Sequence, residues 1–211
     1  MKKINFKLLI LTSILILLPM LVGVILWQNL PATLPSHFDL EGRSNGFSSK
    51  PMVVFVIPLL MLALHLFAIL VTSLDPKSHN VASKVKHLIY WIIPVTSGMV
   101  QLSVYGSVLG FMNNVTQIGL VFIGTLFLVL GNYLPKTKQN YTVGIRLPWT
   151  LDNEENWNRT HRLAGKLWVI GGLLILFNVF LRWEMFYVLV GLLLLMVLVP
   201  TFYSYWLSRA D

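Results

Sequence analysis

Six stretches of the chain carry almost no charged side chain: Leu8–Trp27, Pro51–Leu74, Leu88–Phe111, Val115–Leu134, Leu163–Leu181 and Met185–Leu207. Each is long enough to cross a bilayer, which takes about 20 apolar residues as helix. In lipid the backbone must satisfy its own N–H and C=O groups, so such runs fold as helices. The pattern predicts an all-α integral membrane protein, a bundle of six transmembrane helices. The connectors are too short to hold a soluble domain. Two regions are expected: residues 1–87 with two spans and an outer loop at 28–50, and residues 88–211 with four spans and an inner connector at 132–166. The first run has the basic start and apolar body of a secretory signal. It lacks a small-x-small cleavage site before Pro31, and is read as an uncleaved first span.

A few positions interrupt the apolar runs. Pro19, Pro58 and Pro94 should kink their helices or break the hydrogen-bond ladder locally. Gly106 and Gly110 form a GxxxG pair, which permits close helix approach. Ser97, Gln101 and Tyr105 recur every four residues and so share a helix face. They predict interhelical hydrogen bonds, with a polar cavity as the sharper alternative. His65 and Asn178 are read in the same way.

Composition agrees with the pattern. The chain is 56% hydrophobic and 11% charged, where a soluble domain has roughly 25% charged residues. It has no cysteine, which excludes disulfides, a thiolate nucleophile and Cys metal sites. The net charge of +8 suggests nucleic acid at first sight. The charges lie in short connectors between spans, however, and no nucleic-acid-binding motif accompanies them, so nucleic acid is not an expected partner.

The charge distribution instead sets an orientation. With the N-terminus inside, the inner segments hold Lys2, Lys3, Lys7, Lys77, Lys84, Lys86, Lys136, Lys138, Arg146, Arg159, Arg162, Lys166 and Arg209. The outer segments hold Arg43, Lys50 and Arg182. Thirteen against three predicts both termini in the cytoplasm.

The outer connector Gln28–Lys50 contains Pro31 and Pro35, which stop a helix. His37, Asp39 and Glu41 alternate with Phe38 and Leu40, and Gly42 and Asn45-Gly46 are turn signals. A short hairpin on the outer membrane surface is expected. The three polar side chains could hold a metal if one strand face presents them, and a solvated face explains them equally. The connector Asp75–His87 is basic and reads as a topology determinant in contact with phospholipid. The connectors at Asn113-Asn114 and Arg182–Glu184 are minimal, giving tight antiparallel pairs.

The stretch Asn132–Lys166 is the most polar, with six of the sixteen Lys/Arg and two of the seven Trp. Pro135 ends the fourth span, Gly144 suits a turn or a close backbone approach, and Pro148 stops regular structure. Trp149 suits the membrane interface. Asp152 with Glu155 resembles a capping box, starting a helix over Asn153–Leu181 that runs into the fifth span. Trp157, His161 and Gly165 share one face of it, and Glu155 and Arg159 form an i,i+4 pair. Either this is an amphipathic stub anchored among headgroups, or His161 and Arg162 offer hydrogen bonds or charge to a partner.

Nothing in the chain indicates an enzyme or a cofactor. HExxH, GxSxG and Walker-type loops are absent. A membrane-enzyme site at His161 with Glu154 or Glu155 and a metal lacks a second histidine at ligand spacing. A small transporter or lipid-handling protein remains the alternative, its pathway lined by Gln101 and the His161/Arg162 region.

The run Gly131–Trp168, GNYLPKTKQNYTVGIRLPWTLDNEENWNRTHRLAGKLW, resembles the signature region of the SdpI-type bacterial immunity proteins. Leu30–Lys50 resembles the uncharacterised domain that often precedes it in the same order. The resemblance implies a multi-pass protein of the cell membrane of Gram-positive bacteria that protects its host from a secreted antimicrobial peptide toxin. It also implies a possible receptor role, holding an ArsR-like autorepressor at the membrane. The signature positions are Asn132, Pro135, Asn140, Gly144, Arg146, Pro148, Trp149, Trp157, Asn158, His161, Arg162 and Gly165; all of these except Pro148 and Gly165 imply the partner-binding connector. Pro31, Pro35, His37, Phe38, Gly42, Gly46 and Lys50 imply the toxin-facing loop.

Overall fold

A computed structural model describes residues 4–112, 114–181 and 185–210. Lys2, Lys3, Asn113 and residues 182–184, which enter the charge count and two of the short connectors, lie outside the described residues. The order is α1 (Phe6–Ile25), β1 (Thr33–Phe38), β2 (Ser44–Ser49), a π-helical turn (Met52–Val56) leading into α2 (Ile57–Leu74), a 3-10 turn (Ser78–Asn80), α3 (Ser83–Val108), α4 (Val115–Tyr133), a 3-10 turn (Leu134–Lys136), α5 (Pro148–Asp152), α6 (Glu154–Leu181) and α7 (Met185–Ala210). Among the described residues six helices are long and apolar enough to cross a membrane, and they coincide with the six apolar runs. The chain divides into two compact units, one from residues 4–73 and 86–119, the other from residues 74–85 and 120–210.

In the first unit Leu30, Leu34, Val53, Val54, Val104 and Tyr105 form a buried cluster. The polar face of α3 lies along this packing. Gln101 Nε2 donates to the Val53 carbonyl (2.8 Å) and the Tyr105 hydroxyl to the Pro19 carbonyl (3.2 Å). The first bond has a local cause. The Ile57 N–H bonds five residues back to Met52, and in that register the partner of Val53 would be the N–H that Pro58 lacks. Thr12 and His65 meet at 2.9 Å, joining α1 to α2. Gly106 and Gly110 are not a helix-packing pair. The carbonyl of Gly106 accepts from the N–H groups of Phe111 and Met112, the returning chain fills the space beside Gly106, and Gly110 has φ +79°. They end the helix, as a glycine in the left-handed region does.

β1 and β2 form an antiparallel hairpin with Leu34 opposite Ser48 and His37 opposite Gly46. The extended pattern stops at Phe38. Two irregularities in register around His37 and a turn starting at Asp39 mean that His37, Asp39 and Glu41 do not line one strand face. No group of three metal-binding side chains occurs among the described residues.

In the second unit α4 and α6 meet through glycines seven residues apart on each helix. A Cβ on Gly131 would strike the Gly165 carbonyl, and one on Gly172 the Gly124 carbonyl. Only hydrogen at these positions lets the two backbones come so close.

Candidate functional site

The polar stretch after α4 folds as a compact layer around one buried aromatic pair. Trp157 is fully buried and stacks on His161, with ring centroids 4.0 Å apart and planes at 19°. Trp157 Nε1 donates to the Thr137 carbonyl at 2.8 Å, which fastens the chain leaving the 3-10 turn. Asn140, also fully buried, closes the next turn on itself. Its Oδ1 accepts from the N–H groups of Thr142 (3.0 Å) and Val143 (2.7 Å), and its Nδ2 donates to the carbonyls of Lys138 and Val143. Asparagine is suited to this because its short amide mimics a backbone unit.

Gly144 follows with φ +116°, and a Cβ there would run into His161 Nε2 and the Trp157 ring. The glycine thus serves both the turn and the close approach. It brings the Ile145 N–H to His161 Nε2 at 2.9 Å, while His161 Nδ1 lies 2.8 Å from the Trp157 carbonyl. A carbonyl only accepts and an amide N–H only donates, so the proton sits on Nδ1 and the imidazole is neutral. Both ring nitrogens are engaged internally, which leaves none for an outside partner.

Pro148 begins α5 instead of ending regular structure. Proline favours the first helical position, where its missing N–H costs nothing. The Thr150 hydroxyl accepts from the Leu147 N–H at 2.9 Å. The cap of α6 is Asn153, whose Oδ1 accepts from the Asn156 N–H at 2.9 Å; Asp152 belongs to α5. Trp149 Nε1 donates to Ser204 Oγ (2.7 Å) and Asn156 Nδ2 to the Ser204 carbonyl (2.8 Å), tying α5 and α6 to α7.

The connector after α2, expected to serve only topology and lipid contact, grips this layer. Asp75 is 5% exposed. Its Oδ2 accepts from the Tyr141 N–H (2.9 Å) and the Thr142 hydroxyl (2.8 Å), its Oδ1 from the Lys77 N–H (2.7 Å). Lys77 Nζ donates to Gln139 Oε1 (2.6 Å) and sits over the Tyr141 ring, while Asn80 Nδ2 donates to the Gln139 carbonyl. Gln139 Nε2 reaches on to the carbonyls of Thr150 and Leu151. One signal could have found Asp75: it is the sole acid in the basic run DPKSHNVASKVKH.

The residues of the layer thus fall into three groups by exposure. Asn140, Trp157 and His161 are buried, while Gly144, Trp149 and Asn158 are half-buried. Asn132, Pro135, Arg146 and Arg162 are exposed, with Lys136, Lys138 and Lys166 beside them in the sequence pattern of exposed cations. Arg146 donates to the Tyr141 carbonyl and Arg162 to the Asn158 carbonyl, and Arg159 pairs with Glu155 at 3.5 Å.

On the hairpin, Pro31, His37 and Phe47 are exposed, Phe38, Gly42 and Gly46 half-buried, and Pro35 buried. Gly46 is needed because a Cβ would press on that of His37, which itself bonds Asn45. Lys50 Nζ donates to the carbonyls of Trp27 (3.0 Å) and Leu30 (2.6 Å) and lies over the Trp27 ring, holding the chain between α1 and β1. Asp39 organises the tip. Its carboxyl is held below the usual carboxylate range by the Arg43 backbone N–H foremost, with the guanidinium of Arg43 and the Glu41 N–H adding to it against some desolvation. The Thr116 hydroxyl donates to its carbonyl at 2.8 Å.

Residues 136–204 match the model of the SdpI/YfhL protein family, and residues 14–62 match a domain of unknown function, DUF1648. The chain is 28% identical to the immunity protein SdpI of Bacillus subtilis (strain 168) over 201 residues, which cover 93% of each chain. Over these regions the chain is similar to the SdpI/YfhL family. No solved structure matches it. With its six spans, it is a multi-pass protein of the bacterial cell membrane. The family region runs from Lys136 through the whole aromatic layer to Ser204, and the N-terminal match takes in α1 from Ile14 onward, the hairpin and the start of α2. Asp75, Lys77 and Asn80 lie in neither matched segment.

Proposed function

We propose that the protein is an immunity protein, which protects the cell that carries it from a secreted antimicrobial peptide toxin by binding and not by catalysis. The observation that carries this is end-to-end similarity to an immunity protein, with both matched regions in the same chain. The termini are cytoplasmic in this reading. The hairpin at 28–50, in the region 1–87, faces the toxin through Pro31, His37 and Phe38, with Gly42, Gly46 and Lys50 fixing its shape. The connector at 132–166, in the region 88–211, is the output face. Arg146, Arg162, Asn132 and Pro135 contact a cytoplasmic partner there, an ArsR-like autorepressor in the fullest form of the proposal. Asn140, Gly144, Trp149, Trp157, Asn158 and His161 shape that face from beneath. A toxin biases the protein only if it binds one arrangement of the bundle better than another.

Expression in a toxin-sensitive strain tests the proposal. Wild type is expected to raise survival against a peptide toxin of the kind countered by immunity proteins, and Arg162→Ala to retain protection while losing partner recruitment. Absence of protection by well-expressed wild type against a panel of such toxins overturns the reading.

A further inference from the structure

We infer that Asp75 is a positioning residue that couples the second span to the cytoplasmic-side layer, so that a disturbance at the Lys50 end of that span is read out at residues 137–145. The inference rests on the connector being the output face.

α2 ends at Leu74, and the next residue is Asp75. Its carboxylate takes three donors, two of them from Tyr141 and Thr142. Charge-assisted bonds of this kind are about twice as strong as neutral ones. No cation is paired with Asp75 among the described residues; Lys77 Nζ turns to Gln139 instead. A buried carboxylate held by donors alone is costly to free, since any shift leaves the anion or its donors unpaired. Tyr141 and Thr142 lie within the turn closed by Asn140, and that turn presents Gly144 and Ile145 to His161. Displacing α2 along its axis therefore pulls on the support of the aromatic layer. Just before its other end stands Lys50, whose Nζ donates to the carbonyls of Trp27 and Leu30 in the chain that follows α1. One charged residue thus fixes each end of the span.

The chain has no cysteine, so one introduced thiol reports alone. Thr137→Cys suits this, because Thr137 is 3% exposed and its environment opens only if the layer loosens. In purified full-length protein, maleimide modification is expected to be slow in this background. Adding Asp75→Asn should raise the rate about tenfold, the effect of losing one charge-assisted hydrogen bond, and Asp75→Glu less. Lys50→Met should raise the rate while Asp75 is present and add little once Asp75→Asn is in place, which is the signature of coupled sites. Thr142→Val removes a single donor and gives a milder arm should Asp75→Asn fail to insert; its rate should rise about threefold. An unchanged rate in Asp75→Asn, or in Thr142→Val where that arm is used, overturns the inference. So do rates for Lys50→Met and Asp75→Asn that multiply independently. No toxin enters the measurement, so its failure leaves the immunity reading standing, and loss of protection leaves the coupling standing.

Discussion

At the scale of single residues, Gly144 and His161 show how composition becomes shape. Gly144 has a positive φ and no room for a Cβ, so Gly144→Ala is strained twice. Holding a non-glycine residue in an unfavourable region costs about 1–3 kcal/mol. Relieving the clash would also break the Ile145–His161 bond. Thermal unfolding of the purified protein should fall several degrees for Gly144→Ala. Gly98→Ala is the control: nothing lies within 4 Å of its added methyl, and alanine is the better helix former by about 1 kcal/mol. The glycine was legible in the sequence because it stands in a polar run between two prolines. The role of His161 was not. Its spacing placed it correctly beside Trp157, but spacing is silent on whether a ring nitrogen faces a partner or a backbone 16 residues away.

At the scale of elements, the spans were legible because length and apolarity alone dictate them in lipid. The helix breaks were only half so. Pro58 was visible as a kink, yet not the π register before it or the bond from Gln101 that answers it. Pro200, inside α7, repeats the device. The carbonyl it leaves without an i+4 donor is that of Met196, and Trp168 Nε1 donates to it at 3.1 Å. These donors make two of the proline sites braces between helices, which a one-dimensional reading cannot supply since each partner is tens of residues away. Trp168→Phe tests the brace. Phenylalanine keeps a ring against Phe127, 5.3 Å away and edge-on, and removes only the N–H. Leaving a buried carbonyl unpaired should cost about 1–3 kcal/mol, read as lowered resistance to unfolding in detergent titration. Phe127→Leu, which leaves the bond intact, should lose less. The small elements escape the sequence for equally local reasons: Pro148 reads as a breaker where it is a helix start, and Asp152 reads as the cap that Asn153 supplies, because both are competent caps.

At the scale of the whole molecule, every functional assignment turns on which side each connector faces, and the sequence argues this through charge. Thirteen of sixteen Lys/Arg fall on one side if the chain crosses six times from an inner N-terminus. The asymmetry acts during insertion, since cationic segments resist translocation whereas acidic ones contribute little. Two connectors carry most of it. Lys77 follows α2 and Lys84 and Lys86 open α3, while Lys136, Lys138, Arg146, Arg159, Arg162 and Lys166 run from the end of α4 into the first turns of α6. Against these the hairpin offers only Arg43 and Lys50. A phosphatase reporter that is active only outside the cytoplasm, inserted at the Gly42 turn, should therefore be active. The same reporter fused after Asp211 should be silent, where a reporter that works only in the cytoplasm should be active. Reversal of both would place the hairpin inside and the aromatic layer outside, and would make the layer the surface a secreted peptide meets first. Substituting the three lysines at 77, 84 and 86 by glutamine should weaken the bias without inverting it, because the connector at 132–166 still holds six cations.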